Sequence, residues 1–446
     1  MNSIKESLKY SSMTTHSETI MKIKNIIQNL TFVSILSKSF RVIVGPVTLV
    51  LIASSLTSEE LGFYYTFFSI IAMRQLLEVG VNSVLKQFYA HEFDNVLISN
   101  NYDKVSSLFI FSMYWYFFVA ILFALLSSAT AYFIFSRADS VVEWQGSWTL
   151  LMITSTFLLF QLPFKSYLDG MQEQIKMQSL TLISDIVGVL FLWAFLISDF
   201  GLYSLGLSQV AINIIFYLLL FFLNGDKFRQ NISCEKFDFK SIFFEVWPLL
   251  KKTGIVFFLG YFYWNGFNII SFDYLGPALA GMIGLSIAMS RAGQNIALAG
   301  VLSHSTQYAR LISNEKDIDA YSGFKVQFLG GFLLLISGYL LYCACYLINP
   351  NFSFFSKALP IDEMTWVFLF FILSFIISSL DNYTRCYKVE LFVKVQAFNS
   401  VFTPLLFFMG MKLSLPYFLL PCVSLFLVLV TTYFKFSRLL RNYNHD

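Results

Sequence analysis

Apolar runs of roughly 20 residues recur along the chain and alternate with short polar stretches. A run of that length crosses about 30 Å of hydrocarbon as a helix. The pattern predicts twelve membrane spans, at 32–54, 61–85, 108–133, 148–168, 180–197, 204–223, 254–272, 277–302, 326–348, 364–380, 393–411 and 416–434. The longest connection, 224–253, divides them into two sets of six.

Composition supports this assignment, because 57% of the residues are hydrophobic, only 13% are charged and the mean hydropathy is +0.66. A soluble protein of 446 residues needs far more polar surface. The net charge of +3 is small and gives no indication of nucleic-acid binding. The five cysteines are an odd number without a CxxC pair, so no disulfide framework is expected.

The pattern predicts an all-α integral membrane protein with about twelve transmembrane helices in two parallel six-helix repeats around a central cleft. Its predicted segments are a cytoplasmic tail (1–31), a first half (32–223), a cytoplasmic linker with an interfacial helix (224–253), a second half (254–434) and a second cytoplasmic tail (435–446). In the linker, Phe237, Ser241 and Phe244 share a helical face beside basic residues, which favours a helix on the inner leaflet over a solvated loop.

The distribution of Lys and Arg predicts the orientation. Of the 30 basic residues, 23 lie in the tails and the connections on one side, whereas Arg137, Lys357 and Lys412 lie on the other. Positively charged loops stay in the cytoplasm. The sequence therefore predicts that both termini lie in the cytoplasm.

Two similarities between segments of the chain indicate an internal sequence repeat. A shift of 219 residues lays 56–90 on 275–309 without a gap, and Gly62/Gly281 and Tyr89/Tyr308 are among five coincident pairs. A second pattern, S-x-L-D-x6-K, occurs at 166–176 and again at 378–388. Because six is an even number, two six-span halves must run in the same direction.

Charged residues inside the spans are the candidate functional residues, because each costs about 2.5–3.5 kcal/mol near the bilayer centre. Such residues usually face a bundle interior or a water-filled cavity. The cations are Lys38, Arg41, Arg74 and Arg291, and the carboxylates Glu78 and Asp185 are ion-coupling candidates. The cationic surplus predicts a cleft that binds an anion, and the arginine fork matches phosphate oxygens.

Each of these charges also has a structural interpretation. Arg74 and Glu78 are spaced to pair within one helix, and with Asn82 they predict a polar stripe on one helical face. Lys38 could extend to the interface, and Asp185 could cap a helix or pair with a loop lysine. Arg41 and Arg291 have no acidic neighbour within four positions, so a cavity role is favoured for them.

Polar residues of the seventh and eighth spans extend the candidate site. Tyr261, Asn265 and Asn268 share a helical face beside Trp264, and Gln294 lies one turn beyond Arg291. Amides and aromatic rings suit sugar hydroxyls and sugar faces, although Asn and Gly also mark close helix contacts. No GxxxxGK[ST], HExxH or GxSxG motif occurs, so neither an enzyme, a metal site nor a cofactor is expected.

Several stretches resemble the O-antigen flippase (Wzx) family of polysaccharide transporters, within the multidrug/oligosaccharidyl-lipid/polysaccharide (MOP) exporter superfamily. They are SILSKSFRVIVGPVTLVLIASSLTSEELGFYYTFFSI, RQLLEVGV with QFYAHE, and the S-x-L-D-G turn. The resemblance is dense over 31–95 and mostly topological elsewhere. It implies a bacterial cytoplasmic (inner) membrane protein that transfers an undecaprenyl-pyrophosphate-linked oligosaccharide from the inner to the outer leaflet, with Arg41, Arg74, Arg291 and Lys38 as lumen-lining cations. Membrane lipids, a polymerase and a chain-length regulator are the expected partners.

Two other functions stay open. A small-solute or multidrug exporter of the same superfamily would share the fold, but it would more often present carboxylates to cationic solutes. A membrane polysaccharide polymerase would need a long outward loop, and the outward connections near 134–147 and 349–363 are short.

Overall fold

A computed structural model describes residues 40, 44–99, 101–231, 237–389 and 391–443. Within these ranges the regular structure is entirely helical. The first half contains α1 Val44–Ser55, α2 Ser58–Ile71, α3 Met73–Glu78, α4 Val81–Ser99, α5 Asp103–Phe135, α6 Gln145–Leu159, α7 Leu162–Gly170, α8 Gln174–Ile197 and α9 Tyr203–Asn231. The second half contains α10 Phe239–Leu275, α11 Pro277–Ser303, α12 Ser305–Ser313, α13 Asp317–Ile348, α14 Ser353–Ser356, α15 Ile361–Arg385, α16 Val393–Lys412 and α17 Leu419–Tyr443.

Each predicted span coincides with a helix or a broken helix, and the first does so only from residue 44 onward. In the described part of the chain, seven segments are long and apolar enough to cross a membrane, and α2–α4 makes an eighth if that bent segment counts as one span. The chain is a multi-pass, all-α membrane protein, as predicted.

The two halves meet where α2 crosses α11. A Cβ atom added to Gly62 would overlap the carbonyl of Pro277, and one added to Gly281 would overlap the carbonyl of Ser58. The shift of 219 residues relates Ser58 to Pro277 and Gly62 to Gly281, so each contact is the counterpart of the other. The same shift relates Tyr65 to Gly284, whose missing side chain leaves room for the tyrosine ring.

A second pair of repeat-related residues lies on α4 and α12. Tyr89 and Tyr308 are both buried. The Tyr89 ring packs on Tyr167 of α7 with centroids 5.6 Å apart, and the Tyr308 ring packs on Tyr383 of α15 at 5.9 Å. Residues that the predicted repeat relates therefore make equivalent tertiary contacts in the two halves.

The second span is broken rather than continuous. Val79 and Gly80 have φ values of 58° and 78°, in the left-handed region, and the flanking segments bend by 41°. Glycine adopts this conformation readily and valine does not. The single helical face predicted for Arg74, Glu78 and Asn82 is therefore wrong, because α3 ends at Glu78 before α4 begins.

The fourth span is also broken, between α6 and α7, and a buried polar network supports the break. Gln161 donates to the Asn213 side chain at 2.9 Å, and Asn213 donates to the carbonyl of Thr154 at 3.0 Å. Ser155 donates to Gln209 of α9 at 2.8 Å. Such bonds satisfy polar groups that would be costly in an apolar interior.

The linker joins α9 to α10, and residues 232–236 lie outside the described part of the chain. From Phe239 the helix continues through Pro248 into the seventh span. Its aromatic side chains pack on α5, where Phe239 contacts Phe111 with ring centroids 4.9 Å apart. Lys104 pairs with Glu245 at 2.7 Å. Whether this segment lies on the inner leaflet stays a prediction.

Candidate functional site

A cavity of about 550 Å³ lies between the two halves. The crossing of α2 and α11 limits the cavity at one end, since the lining of these helices begins at Tyr64 and Gly284 and continues away from Gly62 and Gly281. Lining residues come from α1, α2, α8, α9, α10 and α11, together with Phe40. The first half therefore supplies four of the six helices around the cavity.

Arg291 is the cation in the described part of the wall. Its guanidinium carbon lies 4.3 Å from the ring centre of Trp264, and both residues line the cavity. Within the described ranges, no carboxylate forms an ion pair with Arg291. Stacking on an indole ring stabilises a guanidinium and leaves its N–H donors along the ring plane. An anion in the cavity could accept from these donors.

A short hydrogen-bond chain orients the asparagines of α10. Ser69 Oγ donates to the Tyr65 carbonyl at 3.0 Å, so the same oxygen can only accept from Asn268 Nδ2, also at 3.0 Å. The Asn268 carbonyl oxygen is thereby turned away from Ser69, and it is buried without a partner among the described residues. Asn265 donates to the Tyr261 carbonyl at 3.0 Å, which leaves its oxygen as an acceptor.

These two side chains line the cavity, as does Asn295 one turn beyond Arg291. The wall around Arg291 thus combines guanidinium donors with amide acceptors and aromatic faces. Donors of this kind suit a phosphate, and acceptors suit hydroxyl or amide N–H groups. Tyr261, by contrast, is mostly buried and donates its hydroxyl to the Ser69 carbonyl at 3.1 Å.

The first helix contributes a second wall. Gly45 and Thr48, which follow Lys38 and Arg41 in the sequence at helical spacing, both line the cavity. Thr48 accepts from the Trp193 indole at 2.9 Å, which fixes α1 against α8. Lys38 and Arg41 lie outside the described residues. Their role in substrate binding stays a prediction.

The remaining candidates occupy different positions. Asp185 of α8 lines the cavity. Gln294 is buried and donates to the Ser374 hydroxyl of α15 at 2.9 Å, which joins two helices of the second half. Arg74 lies on α3, a helix that packs against α10. Nothing in the sequence indicated that Asp185 would line the cavity and that Arg74 and Glu78 would not.

Glu78 is engaged at the helix break. Its carboxylate accepts from the Tyr116 hydroxyl at 2.8 Å and from the backbone N–H of Asn82 at 3.1 Å. The second contact caps α4, whose first N–H groups have no partner inside the helix. Among the described residues, Glu78 and Arg74 do not form an ion pair. The predicted intrahelical bridge is therefore not formed in this conformation.

The aromatic wall from α2 was not predicted as part of the site. Tyr64, Tyr65 and Phe68 line the cavity. The signal was present in the repeat, because the shift of 219 residues lays Tyr65 against Gly284. A ring opposite a glycine indicates a place where two helices approach closely. Within the described ranges, no group of three or more His, Cys, Asp or Glu residues could hold a metal ion.

Comparison with known proteins identifies the fold. No protein-family model matches the chain, and no curated protein sequence matches it. An inward-facing multidrug resistance MATE family transporter of the MOP superfamily matches with a TM-score of 0.65 at 11% identity, over 89% of this chain and 95% of that one. An outward-facing transporter of that description matches with a TM-score of 0.57 at 10% identity, over 94% of this chain and 97% of that one.

A third structure, of a MATE protein in a bent conformation, matches with a TM-score of 0.52 at 10% identity, over 93% of this chain and 96% of that one. All three matches extend over both halves and leave little of either chain uncovered. Identities this low carry information about fold and not about substrate. The chain has the fold of the MOP superfamily transporters.

Proposed function

We propose that the chain is a flippase that moves an undecaprenyl-pyrophosphate-linked oligosaccharide from the inner to the outer leaflet of a bacterial cytoplasmic membrane by alternating access. The observation that carries this proposal is Arg291 stacked on Trp264 in the wall of the central cavity without a carboxylate partner in the described residues. An unpaired guanidinium in a membrane protein is costly, and a bound anion would offset that cost.

The rest of the wall fits the remainder of such a substrate. Asn265 and Asn295 offer amide oxygens for sugar hydroxyls, and the Trp264 face offers an apolar surface for a sugar ring. A lipid-linked substrate also leaves its tail in the bilayer, so the cavity need only accommodate the pyrophosphate and the first sugars. In this arrangement, Arg291 binds the anion, and Asn265 of α10 and Asn295 of α11 bind the saccharide.

The cations near the N-terminus would complete the site. Phe40 and Val44 line the cavity on either side of Arg41 in the sequence. We propose that Arg41 joins Arg291 at the pyrophosphate and that Lys38 and Arg74 contribute to the surrounding positive field. Asp185 and Glu78 stay the candidates for ion coupling, and of the two it is Asp185 that lines the cavity.

A small-solute exporter is the second candidate function. Asp185 places a carboxylate in the wall, and much of the lining is aromatic or aliphatic, which would suit a cationic, apolar solute. The MOP transporters matched above include multidrug resistance proteins. In this case Arg291 would be dispensable and Asp185 would be essential.

A deletion in the bacterium that encodes the chain separates the two functions. The flippase proposal predicts loss of surface glycan and accumulation of lipid-linked oligosaccharide, both restored by the wild-type chain and not by Arg291→Ala. The exporter alternative predicts normal glycan and greater sensitivity to cationic dyes, restored by Arg291→Ala but not by Asp185→Asn. Immunoblots of membranes control for protein abundance in every strain.

A further inference from the structure

Lys357 forms a contact between the two halves at the outer end, opposite the predicted cytoplasmic side. It lies between α14 and α15 of the second half, and its ammonium donates to the carbonyls of Ala53 and Leu56 at 2.8 and 2.6 Å. These carbonyls belong to the C-terminal end of α1, in the first half. A helix end leaves such groups without intrahelical partners, and its dipole favours a cation there.

Neighbouring contacts fix the segment that carries Lys357. Ser353 donates to the same Ala53 carbonyl at 3.3 Å. On the other side, the backbone N–H of Leu359 donates to the Ser286 hydroxyl of α11 at 3.0 Å, and Leu359 is buried. Residues 353–359, which we call the outer segment, therefore connect α1 of the first half to α11 of the second.

Lys357 is partly buried at this contact. Burial lowers the pKa of its ammonium, and the Glu60 carboxylate of the first half opposes that shift. Glu60 also completes a capping box with Thr57 at the start of α2. The cation is thus held between the end of α1 and the start of α2, next to the crossing of α2 and α11 that limits the cavity.

The helix held in this way lines the cavity through Gly45, Thr48 and Ile52. A movement that separated the halves at the outer end would have to withdraw Lys357 from the α1 carbonyls. We propose that Lys357 and the outer segment form a latch that holds the outer end of the cavity closed, and that its release is required for the cavity to open outward.

This inference rests on the alternating-access part of the proposed function and not on the identity of the substrate. The latch is specific in its chemistry, because an ammonium can satisfy two carbonyls at once whereas an apolar side chain of the same length satisfies neither. The loss of charge-assisted hydrogen bonds should change the ratio of outward-open to closed molecules by about tenfold or more.

The test measures a distance across the outer end by double electron–electron resonance. Spin labels are placed at Asp139→Cys in the first half and Ile348→Cys in the second, in a full-length chain whose five native cysteines are replaced. Lys357→Met should increase the ratio of molecules at the longer distance to molecules at the shorter distance about tenfold relative to the parent. A distribution identical to the parent's would overturn the proposal.

Lys412→Met is the matched control, because Lys412 is also predicted to lie on the outer side but stacks over Phe408 of its own helix at 4.7 Å. It should leave the distance distribution unchanged, and an equal shift in this variant would also overturn the latch. If Lys357→Met does not fold, Ser353→Ala removes one bond of the same segment. Ser353→Ala should shift the distance distribution in the same direction as Lys357→Met but to a smaller extent. An unchanged distribution in this variant would count against the latch.

The distance measurement needs no substrate, so its outcome is independent of glycan export. If Lys357→Met shifts the distances as expected but the wild-type chain exports no glycan, the flippase proposal alone is rejected. Wild-type distances in Lys357→Met, in a chain that does export glycan, would reject the latch alone.

Discussion

Replacing Arg291 by alanine removes the guanidinium that stacks on Trp264 and leaves the rest of the cavity wall in place. Two effects on stability oppose each other. The lost cation–π contact costs about 0.5–2 kcal/mol, while removal of an unpaired intramembrane charge recovers a cost of about 2.5–3.5 kcal/mol. The variant should therefore reach the membrane in normal amounts.

Substrate binding should respond differently. A bidentate, charge-assisted contact to a pyrophosphate contributes about 2 kcal/mol or more, so its loss weakens affinity about 30-fold. At a ligand concentration that is about 100 times the wild-type Kd, stabilisation by the ligand should fall from about 2.7 to about 0.9 kcal/mol. Arg291→Lys should lose most of this effect too, because a point charge does not reproduce the fork.

The assay is thermal unfolding of the purified full-length protein with and without the lipid-linked oligosaccharide. Arg310→Ala is the control, because Arg310 is an exposed cation on α12, outside the cavity. Equal stabilisation of wild-type protein and Arg291→Ala by the ligand, together with normal surface glycan, would refute the assignment of Arg291 to the anion site.

Three further predictions follow from the contacts. Glu78→Leu should lower the free energy of unfolding by about 1–3 kcal/mol, since it leaves the buried Tyr116 hydroxyl and the Asn82 N–H without an acceptor. Glu78→Gln keeps an acceptor oxygen and should lower it much less. Thermal unfolding in detergent compares the two variants, and equal losses would contradict the capping role. Gly281→Val should reduce membrane abundance, because its Cβ would overlap the carbonyl of Ser58. Gly338→Ala should not, because a Cβ there meets nothing within 4 Å. Equal abundance of the two variants would argue against the close crossing of α2 and α11. Reporter fusions at Asn231 and Lys357 should read opposite sides of the membrane, and a common side would reject the predicted orientation.

Much of the fold could be predicted from the sequence because apolar length alone determines where a helix can cross a bilayer. All twelve predicted spans coincide with helices in the residues that the structure describes. The weak repeat also proved informative, since Gly62 and Gly281 meet at one crossing in the relation that the shift requires.

The helix breaks were harder to predict. The spacing of Arg74, Glu78 and Asn82 fits one helical face, and only the Val79–Gly80 pair indicated a possible break. Glycine is tolerated in membrane helices, so its presence does not decide the local conformation. The left-handed conformation of Val79 depends on tertiary contacts, including its packing against Gly254 of α10.

The candidate site was predictable in part. Intramembrane charge indicated Arg291 and Asp185, and helical spacing indicated the asparagines of α10. Hydrogen-bond direction could not be read from spacing, because it depends on Ser69 from the other half. Lys357 gave no sequence signal beyond being one of three basic residues on the predicted outer side, since its partners are backbone carbonyls about 300 residues away in the sequence.

Leaflet transfer in proteoliposomes is the most direct test of the central claim. Lipid-linked oligosaccharide extracted from the deletion strain is reconstituted with the full-length chain, and a glycosidase added outside reports how much saccharide reaches the outer leaflet. The flippase account predicts that wild-type protein increases the glycosidase-accessible fraction over time and that Arg291→Ala does not. An accessible fraction that stays at the protein-free level with wild-type protein, in vesicles that transport a cationic dye, would contradict it.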